Sequence, residues 1–330
     1  MNSENLQQNI TPLIRRLNER ILGQKELTSR LLVVLLADGH LLVEGAPGLG
    51  KTRAVKELSN VVEGTFHRIQ FTPDLLPGDI TGTDIFHQED GSFNFQPGPI
   101  FHNLVLADEI NRAPAKVQSA LLEAMAERQV TIGAKTYALP KLFLVMATQN
   151  PIEHEGTYPL PEAQLDRFLL YVKIGYPDVA VEHDILALAR NEAAQDKIVA
   201  HHATRHNDIS KLQQHDLLIA RQQVLAVHTS RALEDYIVKL VTATRNPTLY
   251  STQLARWVRF GASPRATIAL DRCSKAYAWL MHRDYVIPED IQLLAHDVLR
   301  HRILLNFEAE AEGVNPDSFI DKLLQLVPSP

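Results

Sequence analysis

The chain has 330 residues, of which 45% are apolar and 22% charged; this excludes a disordered chain and leaves enough material for two domains with a sizeable core. The formal net charge of −6 gives no reason to expect a polyanionic partner, and the single cysteine, Cys273, excludes an intramolecular disulfide. The longest apolar run, 31–37, is too short for a membrane span and the start lacks signal-peptide features, so we expect a cytoplasmic protein.

The first half of the chain alternates short apolar runs with helical patterns, which indicates an α/β fold. Three of the runs are almost entirely apolar, as is typical of parallel strands covered by helices on both faces. The predicted strands are Leu41–Glu44, Phe66–Phe71, Leu104–Asp108, Leu142–Thr148 and Phe168–Ile174.

Two stretches with alternating apolar residues predict β-hairpins inserted into this core. The first covers 83–99 and turns at Asp90-Gly91, and the second covers 129–140 and turns around Gly133. Such hairpins are either structural elaborations or functional loops carried on a rigid scaffold.

After Asp178 the patterns become helical, and the polar stretch 198–210 marks a joint between domains. We therefore predict an α/β nucleotide-binding core over 1–198 and a smaller, all-helical lid over 199–330. The joint contains His201, His202 and His206, but no Cys or carboxylate framework accompanies them, which favours a polar linker over a metal site.

The segment GAPGLGKT, residues 45–52, directly follows the first predicted strand and fits G-x-x-x-x-G-K-[ST]. Its glycines let backbone N–H groups surround phosphate oxygens, and the next helix directs its positive end at them. Lys51 is expected to reach the β- and γ-phosphates of ATP, and Thr52 to ligate Mg²⁺. The predicted nucleotide-binding residues of this loop are Gly45, Ala46, Pro47, Gly48, Leu49, Gly50, Lys51, Thr52 and Arg53.

An acidic residue ends the third predicted strand and a second one follows it. Asp108 is expected to hold Mg²⁺ through water, and Glu109 to orient and deprotonate an attacking water. A solvated helix start is the alternative interpretation of this pair. Because hydrolysis needs a positioned base, we expect ATP to be cleaved by water.

With these residues, the chain resembles AAA+ ATPases and specifically the MoxR family. The motifs EGAPGLGKT, ADEINRAPAKVQSALLEAMAERQVT, MATQNPIEHEGTYPLPEAQLDRF and GASPRA follow the family's order over about 17–303. The segment ILGQKE resembles the family's adenine-contacting segment, which implies that Leu22 and Gly23 lie against the base. The resemblance also places the two hairpins where inserts of related hexamers face the pore or a partner.

The resemblance implies further roles for single residues. Asn150 matches sensor 1, which positions the water, and Arg167 matches the arginine finger that acts on a neighbouring subunit. Arg265 matches sensor 2; with Ser263 as N-cap it would lie near a helix start and could reach across the domain joint to the phosphate. Each of the three could instead be structural: a turn cap for Asn150, and surface or packing arginines for the others.

Two weaker assignments concern the neighbours of Glu109. Gln70 lies where related ATPases place a polar residue that restrains the catalytic glutamate, although a structural role is equally compatible with the sequence. Arg112 could contact a neighbouring subunit or form a salt bridge within the chain.

The resemblance implies a ring, most simply a hexamer, that hydrolyses ATP with Mg²⁺ and remodels or matures a protein client together with a von Willebrand factor A-domain partner. Two other classes of function remain open. One is a DNA-dependent motor, against which the acidic residues Asp84, Glu89 and Asp90 of the first hairpin weigh. The other is a regulatory scaffold that binds ATP without cleaving it, against which the presence of Glu109 weighs.

Overall fold

A computed structural model describes residues 3–89, 91–151, 156–199 and 211–330. Asp90 of the predicted hairpin turn and the histidines of the predicted linker lie outside these ranges. The boundary at 198/199 adjoins one of the gaps and stays a prediction.

The strands of the described residues are, in chain order, β1 (Leu41–Glu44), β2 (Phe66–Gln70), β3 (Gly82–His87), β4 (Ser92–Pro97), β5 (Leu104–Asp108), β6 (Gln129–Ile132), β7 (Lys135–Ala138), β8 (Leu144–Gln149), β9 (Leu170–Lys173), β10 (Val258–Phe260) and β11 (Leu304–Leu305). Five of them form one parallel sheet in the order β2-β5-β8-β1-β9. These are the five strands predicted from apolar runs, each found within two residues of its predicted bounds.

The helices are α1 (Ser3–Arg20), α2 (Lys25–Leu36), α3 (Lys51–Val61), α4 (Pro77–Thr81), α5 (Ala115–Glu127), α6 (Glu162–Leu165), α7 (Val179–Val199), α8 (Gln214–Ala226), α9 (Arg231–Arg245), α10 (Thr252–Trp257), α11 (Pro264–Leu280), α12 (Pro288–Leu299), α13 (Phe307–Ala311) and α14 (Pro316–Leu326). No helix of the described residues is both long and apolar enough to cross a bilayer.

The central strands are buried on both faces, as their uninterrupted apolar sequences require. Every residue of β5 is buried, as are the first five of β8. One apolar cluster on the sheet is continuous with the helical part of the chain through α2, α8 and α11, whereas a second cluster surrounds α5. The helical part is therefore held against the sheet by a shared core.

The helical part confirms the predicted lid with one correction. Val258–Phe260 pairs antiparallel with Leu304–Leu305, so the lid contains a short two-stranded ribbon as well as helices. The sequence could not reveal this ribbon, because a strand of two or three residues is too short to show an alternation of apolar and polar residues.

Both predicted hairpins are present, as β3-β4 and β6-β7. An aromatic stack joins them: the ring centroids of Phe95 and Tyr137 lie 4.0 Å apart at an interplanar angle of 22°. At the outer end of the first hairpin, Phe86 and Phe93 contact each other while remaining 51% and 63% exposed. The two inserts thus touch each other and present an exposed aromatic pair.

Candidate functional site

The order of the sheet brings together the segments that the sequence singled out. In a parallel sheet all carboxyl ends lie at one edge, and β1 and β5 flank β8. The loop 45–50 follows β1, Asp108 ends β5, and Asn150 follows β8. Nine of the predicted site residues line one cavity of about 390 Å³, and Arg68 is the tenth lining residue. The nine are Pro47, Gly48, Gly50, Lys51, Thr52, Arg53, Asp108, Glu109 and Asn150.

The loop after β1 has the backbone of an anion cradle. Gly48 and Gly50 have φ values of +83° and +78°, which disfavour side chains, and the space where a Cβ would stand is open at both. Gly50 is also the N-cap residue of α3, so the first free N–H groups of that helix face the cavity. This arrangement fits the phosphate groups of a nucleotide.

Lys51 is positioned inside this cradle. Its side chain is buried, and its Nζ donates to the carbonyl oxygen of Gly45 at 2.6 Å and to that of Gln149 at 3.3 Å. The ammonium group is thereby held between the ends of β1 and β8, where phosphate oxygens can compete for its protons.

Asp108 is held by three neighbours. Its Oδ1 accepts a 2.6 Å hydrogen bond from the Thr148 hydroxyl, and its Oδ2 lies 3.4 Å from Thr52 Oγ1. Arg68 on β2 donates to the same Oδ2 from Nε at 3.0 Å and from Nη2 at 2.6 Å. The hydroxyl and carboxylate oxygens suit Mg²⁺, but a bound ion would share Oδ2 with the Arg68 guanidinium.

Glu109 has an unusual backbone. Its φ of +58° is uncommon for a residue with a side chain, and such conformations concentrate at functional sites. Its N–H donates to Thr148 Oγ1 at 2.9 Å, while its Oε2 accepts from Gln70 Nε2 at 2.7 Å and lies 3.2 Å from Arg112 Nε. The carboxylate is thus held at the cavity by donors from both sides.

These contacts bear on the two weak sequence assignments. Gln70 is expected from the sequence to restrain the catalytic glutamate, and its hydrogen bond to Glu109 is such an arrangement. For Arg112 the sequence leaves open a contact with a neighbouring subunit or a salt bridge within the chain, and the ion pair with Glu109 is a salt bridge of the second kind. Asn150 is 4% exposed and lines the same cavity, and its role beside an attacking water stays a prediction.

The predicted adenine segment lies at the neighbouring edge strand. Gly23 has a φ of +76° and faces the start of α7, where a Cβ would come within 2.6 Å of Val181 Cγ1. Gln24 Nε2 donates to the Gly175 carbonyl oxygen at 3.3 Å. Gly23 and Gln24 therefore contact the segment that leaves β9, next to β1 and its loop, and Leu22 directly precedes them.

Arg167 and Arg265 lie in a different cavity, of about 350 Å³, which shares no lining residue with the first. Ser263 is the N-cap of α11 as predicted, since its Oγ accepts from Arg265 N at 3.2 Å. The side chain of Arg265, however, approaches Asp166 at 3.5 Å. Arg265 thus lines the same cavity as Arg167, at the amino end of β9, and its expected contact with a phosphate across the domain joint stays a prediction.

Asp166, adjacent to Arg167, connects this cavity to the lid. Its Oδ1 accepts from Arg302 Nε at 2.7 Å, and its Oδ2 accepts from the Ser263 hydroxyl at 2.9 Å. Arg302 is nearly fully buried and also donates to the Phe168 carbonyl oxygen at 2.6 Å. Sequence reasoning missed Asp166 and Arg302, as well as Arg68. Arg68 could have been found from the sequence. It lies two residues before Gln70 in a predicted strand, so the two side chains lie on the same face of the sheet.

Comparisons with known proteins identify the family and the fold. Residues 40–170 match the family model described as ATPase family associated with various cellular activities (AAA), and residues 252–323 match the AAA lid domain. The chain is 48% identical to Chaperone MoxR1 of Mycobacterium tuberculosis over 311 residues, covering 94% of this chain and 79% of that protein. It is 34% identical to Protein MoxR of Paracoccus denitrificans over 327 residues, 95% and 94% of the two chains.

Solved structures give the same result. A crystal structure of a candidate ATPase from Cytophaga hutchinsonii superposes with a TM-score of 0.88 at 46% sequence identity, covering 99% of this chain and 96% of the other. The α/β core with a helical lid is thus an arrangement that this chain shares with a solved relative.

Proposed function

The chain belongs to the MoxR family of AAA+ ATPases, and on that premise we propose that it hydrolyses ATP in a ring whose active sites are shared between neighbouring copies. The observation that carries the proposal is the single cavity lined by the phosphate loop, Asp108, Glu109 and Asn150. A site built only to sense ATP needs the cradle, but it does not need a carboxylate held at the same cavity by Gln70 and Arg112.

In the proposed reaction, Lys51 and the N–H groups at the start of α3 bind the phosphates. Glu109 accepts a proton from a water that Asn150 orients, and the water oxygen attacks the γ-phosphorus as the bond to the ADP oxygen breaks. The products are ADP and inorganic phosphate. When bound, Mg²⁺ neutralises phosphate charge; Thr52 and Asp108 would hold it.

The second cavity supports sharing between copies. Arg167 and Arg265 line it at the amino end of β9, whereas the phosphate loop lies at the carboxyl edge of the sheet. The two arginines therefore serve a nucleotide held by another copy, whose γ-phosphate charge they would stabilise. In a ring, most simply of six copies, the phosphate loop of one copy meets the two arginines of its neighbour at every interface.

The proposed output is chaperone-like work on a protein client, with a von Willebrand factor A-domain protein as partner. Support comes from the relative described as Chaperone MoxR1 and from the exposed pair Phe86 and Phe93 at the outer end of the first hairpin. Exposed aromatic side chains of this size commonly mark contact sites for other proteins.

Steady-state phosphate release tests the proposed reaction. The wild-type chain should hydrolyse ATP with Mg²⁺, and Glu109→Gln should bind ATP but barely turn it over, because an amide cannot accept the proton. Adding duplex DNA should leave the rate unchanged. Turnover retained by Glu109→Gln would refute the assigned base, and strong stimulation by DNA would favour the motor alternative.

A further inference from the structure

Residues 166–169, which we call the finger segment, carry Arg167 between α6 and β9. Among the described residues, the Arg167 side chain has no ion pair or hydrogen bond, whereas its backbone N–H donates to the Gln164 carbonyl oxygen at 3.1 Å. The core holds the far end of the segment, since the Leu169 N–H donates to the His40 carbonyl oxygen at 2.8 Å. The direction of Arg167 therefore depends on what else holds its backbone.

Arg302 of the lid binds the finger segment on both sides of the finger. Its Nε donates to Asp166 Oδ1 at 2.7 Å, directly before Arg167 in the chain. Its Nη2 donates to the Phe168 carbonyl oxygen at 2.6 Å, and its Nη1 to that of Leu169 at 3.3 Å, directly after Arg167. One guanidinium thus fixes the chain immediately before and immediately after the finger.

The Arg302 guanidinium is itself fixed to the lid. Its backbone N–H donates to the Leu299 carbonyl oxygen at 2.9 Å, and its Nη1 also donates to the Val298 carbonyl oxygen at the end of α12. The side chain is only 2% exposed, so no water competes for these contacts. The position of the finger segment relative to α12 is therefore set by Arg302.

A second lid element reaches the finger segment through the same carboxylate. Asp166 Oδ2 accepts from the Ser263 hydroxyl at 2.9 Å, and Ser263 is the N-cap of α11. Arg265, two residues further, approaches Asp166 at 3.5 Å. The start of α11 and the end of α12 therefore converge on the residue that precedes Arg167.

The shape of the Arg302 side chain matters as much as its charge. A guanidinium is a planar fork of several donors, whereas an ammonium is a point charge on a flexible stem. Lysine at this position keeps a cation for Asp166 but cannot reach acceptors on both sides of Arg167 at once. Arg302→Lys therefore separates the positioning of the finger segment from the neutralisation of a carboxylate.

We propose that Arg302 is a positioning residue through which the lid of one copy orients Arg167 toward the nucleotide of the neighbouring copy. The inference rests on the proposed sharing of active sites. Arg302 does not line the phosphate cavity of its own copy. A change at Arg302 therefore acts on hydrolysis in the next subunit, and the lid of each subunit controls the site of its neighbour.

Steady-state kinetics gives the first test. In Arg302→Lys, kcat for ATP hydrolysis should fall about ten- to hundred-fold with little change in KM, because a misplacement of about 1 Å can cost roughly 10²-fold in rate. Arg300→Lys is the matched control. Arg300 is also a lid arginine with a side chain only 11% exposed, but it binds the Tyr171 carbonyl oxygen, beyond the finger segment. Equal losses of kcat in the two variants would overturn the positioning role.

Mixing gives the second test, because it shows which site the change affects. Arg302→Lys mixed with Lys51→Ala should gain activity above either variant alone, since an intact loop then meets a well-placed finger. Arg302→Lys mixed with Arg167→Ala should not exceed Arg302→Lys alone, since every finger present is misplaced. Gain with Arg167→Ala, or no gain with Lys51→Ala, would overturn the proposal, because either result places the defect in the subunit's own site.

Two controls accompany the mixtures. Native mass spectrometry establishes co-assembly, and calorimetric ATP titration establishes that the Arg302→Lys chain is folded. If that chain does not bind ATP, Asp166→Asn takes its place, because it weakens the contact with Arg302 from the other partner and should give the same unequal pair of results.

A reference mixture of Arg167→Ala with Lys51→Ala separates this inference from the proposed function. Recovered activity there, without the unequal results for Arg302→Lys, contradicts only the positioning role. No recovery in the reference mixture contradicts the shared active site, and the positioning role with it.

Discussion

Gln70 Nε2 and Glu109 Oε2 are joined by a 2.7 Å hydrogen bond between the ends of adjacent strands β2 and β5. The amide donor holds the carboxylate toward β2, so the bond limits the reach of Glu109 toward a water. The structure thus shows the proposed base in a restrained position.

Removing the restraint should raise basal turnover. In Gln70→Ala we expect kcat for ATP hydrolysis to increase roughly two- to ten-fold, the equivalent of a net hydrogen bond of about 0.5–1.5 kcal/mol, with little change in KM. Steady-state kinetics measures this. The double variant Gln70→Ala/Glu109→Gln should be inactive, and an unchanged or lower kcat in Gln70→Ala would show that Gln70 does not restrain the base.

Arg68 should set the Mg²⁺ requirement. Its guanidinium occupies Asp108 Oδ2 at 2.6 Å, the oxygen that also faces Thr52. Arg68→Ala frees that oxygen, so half-maximal ATPase activity should occur at a lower Mg²⁺ concentration than in the wild type. A Mg²⁺ titration at fixed ATP measures this, and a higher requirement in the variant would mean that Arg68 supports the phosphates instead.

Asp166 should be important for stability as well as for the arginine finger. Asp166→Ala leaves the buried Arg302 guanidinium without its carboxylate partner, although carbonyl oxygens still accept from it. We expect the free energy of unfolding in urea to fall by about 3 kcal/mol. The exposed pair of Arg231 and Asp235 gives the matched control, since Asp235→Ala should cost less than about 1 kcal/mol. Equal losses would contradict the assigned role of burial.

Stability should decrease in weakly acidic solution partly because of His40. Burial and the nearby Arg128 lower its pKa to about 4, whereas the unfolded chain has the ordinary value near 6.5. The unfolded state therefore binds the proton first, and the stability present above pH 6.5 is lost as the pH falls toward 4.

Between pH 7 and pH 5, His40 should account for a loss of about 2 kcal/mol in the free energy of unfolding. His40→Gln has no group that titrates there, so its stability should fall less over the same interval. Urea unfolding of both proteins at the two pH values measures the difference. Identical losses would show that His40 is not the titrating group.

The sequence predicted the sheet and the nucleotide cavity because both depend on local patterns. Runs such as 104–108 are apolar throughout since they are covered on both faces, and GAPGLGKT needs its glycines for its backbone. The positive φ of Glu109 and the pairing of Arg68 with Asp108 depend on neighbouring strands, which no single stretch of sequence encodes.

The position of Arg265 shows the same limit. Its N-cap and helix start were evident from Ser263 and Pro264. Which cavity its side chain enters depends on how the lid packs against the core. That packing includes the contacts of Asp166 with Ser263 and Arg302, residues about 100 or more positions away in the chain.

The central claim, an active site completed by a second copy, is tested most directly by mixing Arg167→Ala with Lys51→Ala. The first variant retains the phosphate loop and Glu109, and the second retains the finger. Each should be nearly inactive alone, since an arginine finger is worth about 10³–10⁵ in rate and Lys51→Ala should not hold ATP. Native mass spectrometry establishes that the two variants co-assemble. ATPase activity should then partly return on mixing, because some interfaces pair an intact loop with an intact finger. Co-assembly without any recovered activity would contradict the shared site.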